Sequence, residues 1–183
     1  MTVLNESSKK VLRDLRNIRI DTQRFFLRSL MPNDATDRYI GWLRDQSTQR
    51  FITAAKDTSD LGSLREYIDQ KSGRHDVLFL GIFLQENGKH LGNIKYEPVN
   101  VEEGYAIMGI LVGDPDWRGQ GVAAEVLEAS AQWLKTHLGI NKIELDVKRN
   151  NHAAIRAYQK AGFRIENSNH IKSDPISSVS MVR

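Results

Sequence analysis

The sequence predicts one mixed α/β domain. Strand-like and helical stretches follow each other in the order β, α, α, three strands, α, β, α, β, β, with no repeat, low-complexity tract or linker between them. The chain has 183 residues, a normal length for one domain, and 40% of them are hydrophobic against 27% charged. We therefore expect one folded domain over residues 18–183. Residues 1–17 form a polar N-terminal extension, with a short helix near residues 9–15 that lies outside the core.

Apolar spacing and turn residues predict the first half of the domain. Residues 18–30 form a strand-like run, and Asn33 or Asp34 can cap the helix that follows. A second helix begins near residues 57–59. The segment between the two helices, residues 50–56, is a candidate rim for a substrate site.

The middle of the chain begins with a hairpin signal. Two β-prone runs, residues 77–85 and 90–97, flank Asn87-Gly88, and an Asn-Gly pair strongly favours a tight turn between strands. The next strand, residues 105–112, leads through a glycine-containing turn into a long helical pattern that ends near Gly139.

That turn, Arg118-Gly119-Gln120-Gly121, is the main functional signal in the sequence. Its two glycines let a ligand approach the main chain closely. The helix that follows begins with N–H groups that lack intrahelical partners and with the positive end of the helix dipole. The pattern predicts an anion site, most characteristically one for a pyrophosphate.

The C-terminal part is predicted as a strand, a helix and two closing strands. In residues 142–147 the apolar side chains alternate with polar ones, so Glu144 and Asp146 share the face opposite the apolar residues. A helix begins at Asn150 or Asn151 and ends at Gly162.

Composition narrows the classes of function. The net charge is only +3 and the Lys and Arg residues are dispersed, which argues against nucleic-acid binding. No apolar run reaches the roughly 20 residues of a membrane helix, and the N-terminus is too polar for a secretory signal. The chain has no cysteine, and its five histidines lack metal-site spacing. We expect a cytosolic protein that binds no metal, no membrane and no nucleic acid.

Two motifs together resemble those of the GNAT (GCN5-related N-acetyltransferase) superfamily. The first, Arg118-Gly119-Gln120-Gly121-Val122-Ala123, fits the pattern Arg/Gln-x-x-Gly-x-Gly/Ala, and the second, residues 151–163, resembles Asn-x-x-Ala-x-x-x-Tyr-x-Lys-x-Gly-Phe. Residues 21–30 and the helix after them resemble the branch that contains the ribosomal-protein N-terminal acetyltransferases. The resemblance extends from about residue 18 to the C-terminus. It implies a central, mainly antiparallel twisted sheet of about seven strands with about four flanking helices.

The resemblance also implies an activity and a cosubstrate. The expected reaction moves the acetyl group of acetyl-CoA to a primary amine, either a protein N-terminal α-amine or a small amine. By analogy with the family, the backbone of Ile110, Leu111 and Val112 bonds the pantetheine amides, and the main-chain amides of residues 118–123 hold the pyrophosphate. The side chain of Asn151 bonds the pantetheine arm. A homodimer through an extended C-terminal strand pair is left open.

The resemblance identifies a general acid directly, but the usual general base of the family is missing. Tyr158 is the expected general acid, because a phenol with a pKa of about 10 can donate to a thiolate whose acid has a pKa of about 8.5. In many family members a Glu that acts as the general base stands where this chain has Ile107 or its neighbours. In the ribosomal branch a Glu lies five residues before the motif Asn, and the residue here is Asp146, which would reach the amine through water.

Several alternatives remain for the base and for the function. Asp146 could equally be a solvated or ion-paired carboxylate, Glu97 is a second candidate base, and water alone could carry the proton. The missing Glu near Ile107 also leaves open a catalytically idle module that binds acyl-CoA and senses it or assists a partner.

Overall fold

The computed structural model describes residues 15–49 and 60–183, and an eight-stranded sheet forms its centre. The strands are β1 (Arg19–Asp21), β2 (Phe25–Ser29), β3 (Leu78–Leu84), β4 (His90–Asn100), β5 (Tyr105–Val112), β6 (Lys142–Lys148), β7 (Arg164–Ile165) and β8 (Ser178–Val182). Their order across the sheet is β1-β2-β3-β4-β5-β6-β8-β7. Only β5 and β6 pair in parallel, and every other neighbouring pair is antiparallel. The predicted mixed α/β fold with a mainly antiparallel sheet is confirmed.

Five α-helices lie within the described ranges. They are α1 (Asp37–Arg44), α2 (Gln46–Gln49), α3 (Leu61–Ser72), α4 (Val122–Leu138) and α5 (His152–Lys160). Short 3-10 turns occupy Leu15–Asn17, Pro32–Asp34 and Pro115–Trp117. None of the helices in the described part of the chain is both long enough and apolar enough to cross a bilayer.

The sheet separates two hydrophobic clusters. Alternate residues of β3 show why, because Leu78, Leu80 and Ile82 pack in the cluster that contains α4 while Phe79 packs with α1 and α3. Successive side chains of a strand point to opposite faces, so an uninterrupted apolar run marks a strand that is covered on both sides. We call the side with α1 and α3 the α1/α3 face and the other the α4/α5 face.

The eighth strand comes from residues 18–30, which the sequence predicted as one run. Thr22 breaks the run, because both its backbone N–H and its hydroxyl donate to the carbonyl of Phe25 at 2.8 Å. The resulting turn folds β1 back onto β2, with Ile20 opposite Leu27. The local turn chemistry of a threonine therefore explains the difference between seven and eight strands.

The predicted cap of the first helix is wrong. Asp34 does not cap α1, because its carboxylate pairs with Arg28 at 2.5 Å and accepts from the N–H of Met31. Thr36 caps the helix instead and accepts from the N–H of Tyr39 at 3.3 Å. At α3 the cap is Asp60, whereas the predicted start at residues 57–59 and the candidate rim at residues 50–56 lie outside the described residues.

The N-terminal boundary also differs from the expectation. Leu15 is only 5% exposed and belongs to the cluster on the α4/α5 face. Its carbonyl accepts from the hydroxyl of Ser29 at 2.8 Å, which attaches this segment to β2. The rest of the helix predicted near residues 9–15 lies outside the described residues.

Candidate active site

A split between β5 and β6 creates the main cleft. Their parallel ladder ends at the pair Ile107 and Glu144, although β5 continues to Val112 and β6 to Lys148. Beyond this point β6 pairs with β8 on its other side, and no described strand pairs with the edge of β5 that faces β6. A cleft of about 890 Å³ opens there. The free edge can bond a linear ligand as an additional strand would.

The cleft brings together eleven of the twelve predicted site residues. They are Ile110, Leu111, Val112, Arg118, Gly119, Gly121, Val122, Ala123, Asp146, Asn151 and Tyr158. Gln120 is the exception, and its carbonyl accepts from Nη1 of Arg24 at 2.9 Å. Two motifs that are separated by a helix and a strand in the sequence therefore face one space.

The turn before α4 has the backbone of an anion cradle. Gly119 and Gly121 have φ values of 76° and 77°, in the left-handed region where a side chain is strained. The N–H groups of Gly119, Gly121, Val122 and Ala123 have no backbone acceptor among the described residues. Together with the N-terminal end of a 17-residue helix, they form a concave array of donors.

Two of the six amides predicted for the pyrophosphate are already engaged in the turn. The N–H of Arg118 donates to the carbonyl of Pro115 at 3.2 Å, and that of Gln120 donates to the carbonyl of Trp117 at 3.4 Å. These bonds shape the turn, so the other four amides are the better donors for a ligand.

The side chain of Arg118 has a role that the sequence did not reveal. Its Nε and Nη2 donate to the carbonyls of Val112 and Gly113 at 3.0 Å each. Its Nη1 lies 3.2 Å from a carboxylate oxygen of Asp45 and 3.1 Å from the hydroxyl of Ser47. Arg118 thus joins the end of β5 to the connection between α1 and α2. A basic residue before a glycine turn gives no sequence signal for such a contact.

Tyr158 lies on α5 and faces the cleft from the α4/α5 face. It is half-buried, and its ring lies 5.8 Å from that of Phe163. Burial raises the pKa of Tyr158 to about 12, so the phenol is protonated at neutral pH. No described residue forms a hydrogen bond with its hydroxyl, which leaves that group available to a ligand.

Asn151 caps a helix and can also bind a ligand. Its Oδ1 accepts from the N–H of Ala154 at 3.2 Å, and the residue is the N-cap of α5. The side-chain amide Nδ2 has no acceptor in the described structure, and Asn151 lines the cleft. The cap therefore uses the oxygen and orients the nitrogen for a ligand.

Asp146 is exposed and lines the cleft from the middle of β6. Its Oδ1 accepts a hydrogen bond from the hydroxyl of Ser173, and the Ser180 hydroxyl lies 2.6 Å from that of Ser173. Glu144, two residues earlier on the same face, is fully buried and bonds Ser168 instead. Only Asp146 of this pair can meet a substrate.

Glu97, the second candidate base, is not part of the cleft lining. It bonds Lys71 and Arg74 at 2.6 Å each and Lys95 at 2.7 Å. Burial opposes its charge, but the bonds from Lys71 and Lys95 outweigh burial and lower the pKa of Glu97 below its ordinary value. A carboxylate with three cationic partners is a weak proton acceptor.

Comparison with known proteins agrees with this geometry. The acetyltransferase (GNAT) domain model matches residues 24–164. The chain is 25% identical over 146 residues to an uncharacterized N-acetyltransferase, p20, of Bacillus licheniformis, which covers 79% of this chain and 82% of that protein.

Solved structures share the fold at lower identity. RimL, a ribosomal alpha-N-protein acetyltransferase in complex with coenzyme A, superposes with a TM-score of 0.77 at 14% identity over 91% of this chain and 97% of that one. A chimera of the Vibrio cholerae spermidine N-acetyltransferase SpeG gives 0.70 at 17% identity over 87% and 95%. One fold therefore serves different amines, and nothing among these proteins supports a non-catalytic module.

The family model includes the glycine turn, Asn151 and Tyr158, and the structure brings these residues to one cleft. The predicted family is confirmed: this chain belongs to the GNAT family and is an acetyltransferase.

Proposed function

We propose that the enzyme transfers the acetyl group of acetyl-CoA to the α-amine of a polypeptide by direct attack of the amine on the thioester. The supporting observation is the split between β5 and β6, because a free strand edge, a helix N-terminus and Tyr158 surround it. A linear carrier with amide groups at one end and a pyrophosphate at the other matches that arrangement. The RimL-like fold agrees with a protein acceptor.

Residues of both motifs would hold acetyl-CoA, which supplies an acetyl group activated as a thioester. The backbone of residues 110–112 would bond the amides of the pantetheine arm, and Nδ2 of Asn151 would donate to a carbonyl of the same arm. The free amides of Gly119, Gly121, Val122 and Ala123 would bind the pyrophosphate. The helix dipole also stabilises a negatively charged group at the N-terminus of α4, in addition to these hydrogen bonds.

Asp146 is the proposed general base. The amine must be neutral to attack, and the Ser173 hydroxyl occupies Oδ1 of Asp146, which leaves Oδ2 to take the proton through a water molecule. An α-amine with a pKa of about 8 is roughly one-tenth neutral at pH 7, whereas a lysine amine is neutral in well under a thousandth of molecules. One exposed carboxylate is therefore a more adequate general base for an α-amine than for a lysine amine, because a larger fraction of the α-amine is already neutral.

Tyr158 is the proposed acid at the leaving sulfur. Its hydroxyl is protonated and free to donate a hydrogen bond. Because its pKa of about 12 lies above that of a thiol, the main contribution is a hydrogen bond that stabilises the developing negative charge on sulfur.

The test uses the full chain with acetyl-CoA and three acceptors: a peptide with a free α-amine, the same peptide with a blocked N-terminus and an internal lysine, and a small diamine. Released CoA is measured with a thiol reagent, and mass spectrometry locates the acetyl group. We expect acetylation of the free α-amine. Acetyl-CoA binding without turnover on any amine would instead establish the idle acyl-CoA-binding module.

Two predictions about the whole protein stand beside this proposal. A cytosolic location stays a prediction, with which the lack of cysteine agrees. The sheet edge formed by β8 and β7, where Ile165 is 59% exposed, agrees with the homodimer that the sequence left open. Light scattering of the purified protein measures its oligomeric state directly.

A further inference from the structure

Lys95 on β4 and Gly109 on β5 lie directly opposite each other in the sheet. Residues paired in this way project to the same face, and here it is the α1/α3 face, because Leu111, two residues after Gly109, packs with α1 and α3. A side chain at Gly109 would meet no atom within 4 Å, so the sheet surface beside Lys95 is open.

Asp146 belongs to the same face. Ile107 and Glu144 are paired across the last rung of the β5–β6 ladder, and Gly109 and Asp146 each follow two residues later. A molecule lying over Gly109 therefore has Lys95 on one side and Asp146 on the other, and both residues line the cleft.

The ammonium group of Lys95 has two described partners and one N–H donor left over. Its Nζ lies 2.7 Å from Oε2 of Glu97 and donates to the hydroxyl of Tyr67 at 2.9 Å. An ammonium group has three hydrogens, so one is left for a ligand. The Tyr67 hydroxyl accepts from Lys95 and keeps its own hydrogen. Tyr67 also lines the cleft, where its ring contacts Phe79 edge-on at 5.9 Å.

The surrounding charge favours an anion here. Glu97 is shared by Lys71, Arg74 and Lys95, and Asp76 is a second partner of Arg74, so two carboxylates serve three cations. Among the described residues, the cleft lining contains a single carboxylate, Asp146. It contains five cations: Lys95, Arg118, Lys148, Arg156 and Lys160.

We propose that Lys95 and Tyr67 bind a carboxylate of the acceptor, so that the preferred acceptor is an amine with a carboxylate nearby. The proposal deepens the proposed function and rests on it. Two parallel donors, one of them charged, suit a carboxylate, and partial burial strengthens the bond. A polyamine would instead bring a second positive charge close to Lys95, which is unfavourable. The carboxylate can belong to an acidic residue near a peptide N-terminus or to a free acidic amino acid.

The experiment compares acceptors that differ only in this group. Three tripeptides with amidated C-termini begin with the same serine and have Asp, Asn or Lys in second place, and free aspartate and spermidine complete the set. We expect the Asp peptide to have the lowest KM among the peptides. Free aspartate separates the two sources of the carboxylate, because acetylation of it with a similar KM identifies a small-molecule acceptor.

Variants assign the effect to the two side chains. Lys95→Met should raise KM for the Asp peptide about tenfold or more, with kcat and the KM of the Asn peptide nearly unchanged. Glu97 keeps Lys71 and Arg74 in this variant, so no carboxylate is left unpaired. Tyr67→Phe should have a smaller effect of the same kind. Lys71→Met is the matched control, since Lys71 bonds the same Glu97 but does not line the cleft.

Equal KM values for the Asp and Asn peptides, a preference for spermidine, or equal effects of Lys95→Met and Lys71→Met would each overturn the carboxylate subsite while leaving acetyl transfer intact. Calorimetry of the N-acetylated Asp and Asn peptides gives a readout that needs no turnover. If no amine is acetylated, selective loss of Asp-peptide binding in Lys95→Met still supports the subsite although the proposed function fails. Binding that is insensitive to Lys95 rejects the subsite.

Discussion

Nε of Arg24 lies 2.7 Å from Oε2 of Glu125, although 101 positions separate the two residues. Glu125 also accepts from the N–H of Arg24 at 2.8 Å and from the hydroxyl of Thr22 at 2.7 Å. Because Arg24 reaches the carbonyl of Gln120 as well, the β1–β2 turn is attached to the first turn of α4. The glycine cradle is thus supported by the β1–β2 turn, which lies about 100 residues earlier in the chain.

This contact makes stability depend on pH. Burial opposes the charge of Glu125, but the bonds from Arg24 and Thr22 outweigh it and lower the pKa of Glu125 below its ordinary value of 4.5. A lowered folded-state pKa stabilises the protein above the unfolded-state value, and this contribution is lost as the pH falls through the folded-state value. We expect Glu125→Gln to destabilise the protein by about 1–2 kcal/mol at pH 7 and to lose less stability than the parent between about pH 5 and 3.

Thermal denaturation across that range measures the effect. Glu128→Gln on the same helix is the control, because the Glu128 side chain is 67% exposed and pairs only with Arg183 in the described structure. If the stability of the parent and of Glu125→Gln changed with pH in the same way, the bonds from Arg24 and Thr22 would not stabilise the charged form of Glu125.

Gly119→Ala separates cofactor binding from backbone strain. Gly119 has a φ of 76° with no atom within 4 Å of an added Cβ, and Gly88 in the β3–β4 hairpin has a φ of 70° with equally open space. Both substitutions should cost about 1–2 kcal/mol of stability. Only Gly119→Ala should weaken acetyl-CoA binding in calorimetry, because its methyl group occupies the approach to the free amides. Equal affinities in the two variants would argue against the cradle.

Tyr158→Phe should lower kcat tenfold or more and leave acetyl-CoA affinity nearly unchanged. With a pKa of about 12, Tyr158 stays protonated through the usual assay range, so its loss should not remove an ionisation from the rate profile below about pH 10. Tyr105→Phe is the matched control, because Tyr105 stacks on His170 and does not line the cleft. A rate for Tyr158→Phe equal to that of the control would exclude Tyr158 from the chemistry.

Asp146→Asn should lower kcat/KM by about 10- to 100-fold at pH 7, and the defect should shrink as the pH rises above the pKa of the amine. The reason is that a larger neutral fraction of the acceptor needs no base. Ser173→Ala should have a weaker effect of the same form, since Ser173 orients Asp146. Steady-state rates from about pH 6 to 9.5 test both, with Asp76→Asn outside the cleft as control. A defect that is constant with pH would mean that Asp146 only supports the structure.

The features that were predictable from the sequence depend on local geometry. Asn87-Gly88 predicts the hairpin, the glycines of residues 119 and 121 predict a left-handed turn before a helix, and the alternation in β6 predicts the common face of Glu144 and Asp146. In each case the residues that predict the feature are the ones that form it, or lie within a few positions of it. The Thr22 turn was missed because the apolar residues on both sides of the polar stretch at residues 21–24 were interpreted as one strand.

By itself, then, the sequence determined the family, the glycine turn before a helix and most of the residues that the fold brings to one cleft. Tertiary structure alone decided which of two neighbouring carboxylates is buried, because strands and loops from residues 168–180 cover Glu144 and leave Asp146 exposed. It also decided that Arg118 ties β5 to the α1–α2 connection and that Lys95 shares its sheet face with Gly109 and Asp146. These relationships involve residues from different elements of the fold, and only strand register and packing bring such residues together.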